Sequence, residues 1–165
     1  MIKKFAALGA TVAAVTSVIV LASLVPASSH GAITKRFTLC EQNNTGYSKS
    51  IDVGRHGFSA GDYALNSTPA YHAGQRVGRD VGKQTIVRLI GKHDARFIVD
   101  ATMILHAGKI SAYGPARFSA FDKGVSFPVT GGTGLYRKAV GTVRVVNGHC
   151  VGKGGIRLSF RLAIK

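Results

Sequence analysis

The residues of this chain best suited to chemistry are few: Glu41, Asp62, Asn66, Thr68, Tyr71, Asp80, Gln84, Asp100 and Tyr113. A carboxylate can hold a proton or face a developing positive charge, and amides or phenols can anchor a ligand's polar atoms. Such groups work best on the wall of a largely apolar pocket. Glu41, Asp62, Tyr71, Gln84 and Tyr113 are the candidates for catalytic contact, and each has an ordinary structural alternative. Asp62 and Asn66 can hydrogen-bond the loop they flank, Tyr113 can be a hairpin aromatic, and Asp80 can pair with Arg76 or Arg79. Asp62 and Asp100 form a carboxylate pair only if the fold makes them converge.

Other chemistries find little support. The chain has no Gly-x-Ser-x-Gly elbow to raise a nucleophile. Its six histidines, His30, His56, His72, His93, His106 and His149, show no ligand spacing beyond the adjacent His149-Cys150, so no metal is expected. Thr130-Gly131-Gly132-Thr133-Gly134 has the glycines of a dinucleotide loop. The residues after it, however, read neither as an amphipathic helix nor as a parallel strand with an acidic residue about 20 positions on, and the Lys-Ser/Thr of a phosphate loop is missing. No cofactor is expected.

The elements that must position these residues read as strands. Ile156, Leu158, Phe160, Leu162 and Ile164 alternate with Arg157, Ser159, Arg161, Ala163 and Lys165, which puts the first set in a core and much of the charge outside. Phe97, Val99, Ala101, Met103 and Leu105 share a face opposite Asp100, Thr102 and His106, and Ala107-Gly108-Lys109 turns that strand into Ile110–Tyr113. Further strands are expected over 33–41, 61–66, 84–90, 117–121, 125–130 and 140–146. Between the last two, Gly131, Gly132, Gly134 and Gly141 mark a tight corner in which side chains would not fit. No stretch after the N-terminal segment carries a helical stripe, so the fold class is all-β.

Residues 1–29 carry Lys3 and Lys4, an apolar run from Phe5 to Val25, and Pro26-Ala27-Ser28-Ser29, the three-part pattern of a secretory signal peptide. The run is also long enough to span a bilayer, so an uncleaved anchor is the alternative. Residues 30–165 suit a single secreted domain with one core. That domain keeps 20 of the 22 Lys and Arg against 7 Asp and Glu, a net charge of +13 that would attract an anionic cell surface. Nucleic acid is not expected as a partner, because no zinc finger, RRM or basic zipper is present. Cys40 and Cys150, the only cysteines, are expected to form a disulfide in an oxidising compartment.

The glycine stretch resembles the allene oxide cyclase and dirigent superfamily, through Gly131, Gly132, Thr133, Gly134, Tyr136, Arg137, Ala139 and Gly141. Gly108-Lys-Ile-Ser-Ala-Tyr-Gly-Pro, Gly61-Asp62, Tyr71 and Arg76-Val77-Gly78 are similar to its earlier segments. The resemblance implies an antiparallel β-barrel of about eight strands, closed like a lipocalin, in which first and last strands are neighbours and Cys40 can reach Cys150. It also implies a cofactor-independent barrel that binds a small hydrophobic molecule and steers its cyclisation or coupling, an isomerase-like activity, often in a homotrimer. Allene oxide cyclase activity itself is not expected. Where the plant enzymes carry a first-strand Glu, a second Asn and a Cys, this chain has Thr38, Thr68 and Gln84. Glu41 could replace the carboxylate only if the first strand took a different register. The alternative function is a non-catalytic cationic binding or cell-envelope interaction protein on the same scaffold.

Overall fold

Period-two alternation builds nine antiparallel strands, and the computed structural model describes residues 33–42, 45–91, 94–148, 150 and 154–164. The signal-peptide expectation for residues 1–29 lies outside these. The strands are β1 (Ile33–Glu41), β2 (Tyr47–Ile51), β3 (Tyr63–His72), β4 (Gln75–Gly91), β5 (Asp94–Leu105), β6 (Gly108–Arg117), β7 (Val125–Gly132), β8 (Val140–Asn147) and β9 (Ile156–Ile164). They form one sheet in the order β1-β9-β8-β7-β6-β5-β4-β3-β2. The sheet closes because β1 also pairs with β3, Cys40 opposite Tyr71 and Glu41 opposite Ala70. Eight strands thus make a closed barrel, and closure removes the free edges an open sheet would expose.

The ninth strand, β2, has no counterpart among the strands expected from sequence, and it bears on the site. β3 is bordered by β1 at residues 70–71 and by β2 at residues 63–67. The chain leaves the wall after Glu41 and returns at Tyr47, so β1 and β2 are successive lengths of one wall with a break between them. Two other expectations need correction. β4 runs for 17 residues instead of starting near Gln84. The strand expected over 117–121 does not form: β6 ends at Arg117 and Phe118–Ala120 make a single 3-10 turn. Asp94 fixes that turn by accepting hydrogen bonds from the Arg117 guanidinium and the Ser119 hydroxyl.

Inward-facing side chains form two aromatic groups. Phe37 stacks on Phe160 at 4.8 Å and lies 6.1 Å from Tyr136, while Phe97, Phe121 and Phe127 form a chain of rings 5.7–6.4 Å apart that the exposed Phe118 extends to the surface. Each such buried side chain contributes about 1.5–3 kcal/mol. The glycine corner closes the barrel end opposite Glu41. Gly134 has φ +58° and Gly141 φ +149°, and a Cβ on them would overlap the carbonyls of Ala107 and Arg161 respectively. Gly131 differs, since a Cβ there meets nothing within 4 Å. The corner therefore depends on some of its glycines and not on all four.

Cys40 and Cys150 form the expected disulfide, with Cα atoms 5.5 Å apart. The bond ties the segment before β9 to β1 beside Glu41. Closing a loop of 110 residues contributes about 4–5 kcal/mol in the chain-entropy model, and it suits an oxidising compartment.

Candidate functional site

The barrel is hollow. A cavity of about 430 Å³ runs inside it, lined on one side by Glu41, Asn66, Thr68, Asp80 and Gln84. The opposite side is apolar, with Val99, Met103, Ile110, Phe127, Val143 and Leu158 among its residues. Gln42, Gly46, Tyr47 and Ser48 also line it and are exposed, which places its mouth at the break between β1 and β2.

The polar wall follows from strand geometry. In β3, Ala64, Asn66, Thr68 and Ala70 share the inward face; in β4, Asp80, Gly82, Gln84 and Ile86 do. β1 turns Leu39 and Glu41 inward, at 3% and 6% exposure, and leaves Thr38 exposed. Glu41 thus reaches the cavity with no change of register. The requirement of a slipped first strand is overturned, because Glu41 lies on the same face as the core residues Phe37 and Leu39.

Glu41 and Asp80 interact across this wall. Burial, then the neighbouring Asp80 charge, push the Glu41 carboxyl up to about 9. Burial also raises Asp80, to about 6, opposed by hydrogen bonds from the Asn66 amide (3.1 Å) and the Val81 backbone. Two neighbouring carboxyls in one largely apolar cavity cannot both ionise cheaply, so the pair holds one proton at neutral pH. Glu41 keeps it and Asp80 carries the charge. The Glu41 Oε1 atom is buried and has no hydrogen-bond partner among the described residues. A buried polar atom without a partner costs about 1–3 kcal/mol, and a ligand group could satisfy it.

The structure thus brings together Glu41 and Gln84 of the five catalytic candidates, with Asn66, Thr68 and Asp80 of the wider set. It does not bring in the others. Asp62 is buried, but its carboxylate accepts hydrogen bonds from the backbone N–H groups of Val53 (3.0 Å), Ser59 (2.6 Å) and Gly54 (3.5 Å), and from the Ser59 hydroxyl (3.2 Å). Donation by Val53 and Ser59 holds it below the usual carboxylate range. It staples the 53–59 loop and touches only a second hollow of about 270 Å³, which shares Gln84 with the main cavity. Tyr113 and Asp100 sit opposite each other on β6 and β5 and are exposed on the outer face. Tyr71 faces β1 at the closure and does not line the cavity. The Asp62–Asp100 pair does not form.

Sequence reasoning missed the mouth residues Gln42, Tyr47 and Ser48, and the coupling of Glu41 to Asp80. A usable signal was present in Asn66-x-Thr68 and Asp80-x-Gly82-x-Gln84, which alternate at strand period with polar residues on the inside. Among the described residues no three or more His, Cys, Asp or Glu converge.

No family model matches the chain, and no curated protein matches it by sequence. Solved structures match its fold. A pyocyanin demethylase is 22% identical with a TM-score of 0.59, over 76% of this chain and 98% of that one. An exo-specific intermolecular Diels-Alderase is 17% identical with a TM-score of 0.61, over 79% and 97%. A pterocarpan synthase dirigent protein is 13% identical with a TM-score of 0.58, over 82% and 97%. At these identities the likeness is one of fold, and the chain has the allene oxide cyclase/dirigent-like β-barrel architecture that these proteins share.

Proposed function

We propose that this protein is a secreted, cofactor-independent barrel that binds a small, largely apolar molecule in its cavity and steers its cyclisation or coupling. The observation that carries the reading is the hollow interior with a carboxyl pair on one wall and hydrocarbon on the other. A barrel built only as a scaffold would be filled by side chains. Solved barrels of the same fold that are named as Diels-Alderase and pterocarpan synthase support the choice of chemistry.

The division of labour comes from the two walls. The apolar side bends the substrate into a compact conformer and excludes water, so that reacting atoms meet without a search. Glu41, which keeps its proton, donates a hydrogen bond to a carbonyl or ether oxygen and draws electron density from the reacting carbons. Asp80, held by Asn66, faces positive charge that develops as the ring closes. Asp80 thus supplies the fixed negative charge that Thr38, in place of a first-strand Glu, does not. Gln84 and Thr68 orient remaining polar atoms.

The test is native mass spectrometry of the protein purified from its own medium without reductant, together with a cavity-filling variant, Ala101→Trp. A retained apolar compound that the variant loses, with unchanged circular dichroism, supports the reading. Retention by both forms would place the compound elsewhere and sink it.

One observation favours the second reading, a cationic binding surface. On the outer face Arg36 lies directly opposite Arg161, and Arg157 and Arg144 extend the row across β9 and β8. Like charges set face to face destabilise a sheet unless something anionic covers them. A scaffold role predicts that filling the cavity leaves function intact, and that neutralising Arg36 and Arg161 removes it.

A further inference from the structure

We propose that the cavity selects a positively charged apolar ligand, one carrying a protonated amine or another organic cation, and rejects carboxylates. This rests on the proposed function's premise that the cavity is a ligand site, and it specifies the ligand's charge. Of the chain's 7 acidic residues, Glu41 and Asp80 face the cavity, whereas none of the 22 Lys and Arg does so among the described residues. The other titratable group on its lining is Tyr47, at the mouth.

A basic protein would most readily neutralise two interior carboxyls with a Lys or Arg of its own. Here the partners are an amide and backbone: Asn66 and the Val81 backbone donate to Asp80, and Glu41 presents a buried oxygen with no partner among the described residues. A buried charge left without a counter-ion is costly, and the cost is recovered when an opposite charge arrives with good geometry. A ligand cation would provide it. A carboxylate ligand would bring a third acidic group into a low-dielectric space that offers it no cation, and like charges repel more strongly there than in water.

The rest of the lining suits the remainder of such a molecule. Phe121, Phe127 and Phe160 add aromatic surface, which attracts cations over its faces, and the aliphatic side chains accept hydrocarbon. The positive exterior slows a cation's approach, but exposed charge is screened over about 8 Å at physiological ionic strength. The mouth itself is formed by uncharged Gln42, Gly46, Tyr47 and Ser48. Anions would therefore gather on the outer surface and find no partner within.

Isothermal titration at pH 7.5 with three probes of one shape, 2-naphthylmethylammonium, 2-naphthylmethanol and 2-naphthoate, tests the proposal. The ammonium should bind about tenfold or more tightly than the alcohol, and the naphthoate about tenfold or more weakly. Asp80→Asn keeps the side-chain shape and the acceptor for Asn66. It should bring ammonium and alcohol to within about threefold of each other, with unchanged circular dichroism as proof of an intact fold. Equal or tighter binding of alcohol or naphthoate in the native protein overturns the charge selection. If Ala101→Trp still blocks the alcohol, that outcome leaves the ligand-site reading standing. A cation preference that survives Asp80→Asn also overturns the proposal. Failure of all three probes to bind overturns both.

Discussion

Asp62 and Glu41 are buried to nearly the same degree, 8% and 6% exposed, yet the fold treats them in opposite ways. Asp62 is surrounded by donors and stays ionised, because three backbone N–H groups and a hydroxyl replace its water. Glu41 has a buried oxygen, Oε1, that meets no donor among the described residues, and it keeps its proton. The first is a structural acid, spent on holding the 53–59 loop against the barrel end. The second stays available. Burial alone therefore says little about function; what separates the two residues is whether their hydrogen-bonding capacity is used up within the chain.

The pH dependence of stability should separate the two residues most strongly. Glu41 binds a proton in the fold above the pH at which the unfolded chain has lost it. Stability therefore falls as pH rises from about 4.5 towards about 9, by up to about 1.4 kcal/mol per unit. Asp80 adds to the fall between 3.8 and about 6. Glu41→Gln removes the longer limb and should stabilise the protein at pH 8, seen as a higher midpoint in urea unfolding. A pH profile identical to that of the native protein would mean that Glu41 is already solvated or paired. Asp62 should act at the other end. Its folded pKa is depressed, so its contribution is present above the unfolded value and lost as pH falls through the folded one. Asp62→Asn should lower Tm at neutral pH, flatten the acid limb, and leave the cavity's ligand affinity unchanged.

A smaller effect sharpens the contrast inside the cavity. Asn66→Ala takes the side-chain donor from Asp80, which should cost about 1–2 kcal/mol and raise the pH below which a cationic probe is lost. An unchanged pH midpoint for probe binding would show that Asn66 does not tune the pair.

The same contrast explains what could be read in the sequence. β5 and β9 were legible because apolar residues face inward on every second position, Phe97 to Leu105 and Ile156 to Ile164. β3 and β4 were placed only in part, because their inward faces carry Asn66, Thr68, Asp80 and Gln84, and polar residues inside look like polar residues outside. The strands that make the barrel a site are thus the ones whose pattern disguises them as loop. Asp62 and Glu41 had equal claims as letters in the chain. Only the three-dimensional arrangement of Val53, Gly54 and Ser59 distinguishes them, and those partners are a loop away.

The smallest expected effect comes from the outer wall, and it decides whether the interior is special. Asp100 and Tyr113 form a cross-strand pair on the same two strands whose inward neighbours Val99, Ala101 and Ala112 line the cavity. Their Cα atoms belong to the wall of the site, but their side chains point to water. Asp100→Asn and Tyr113→Phe should each change stability by no more than about 0.5 kcal/mol in urea unfolding and leave all three probe affinities as they were. A loss of probe binding in either would mean that the outer face takes part in recognition, and it would return weight to the cationic surface. No loss, alongside the large effect of Glu41→Gln, would place the protein's chemistry on the side of the sheet where polar residues are hardest to see in sequence.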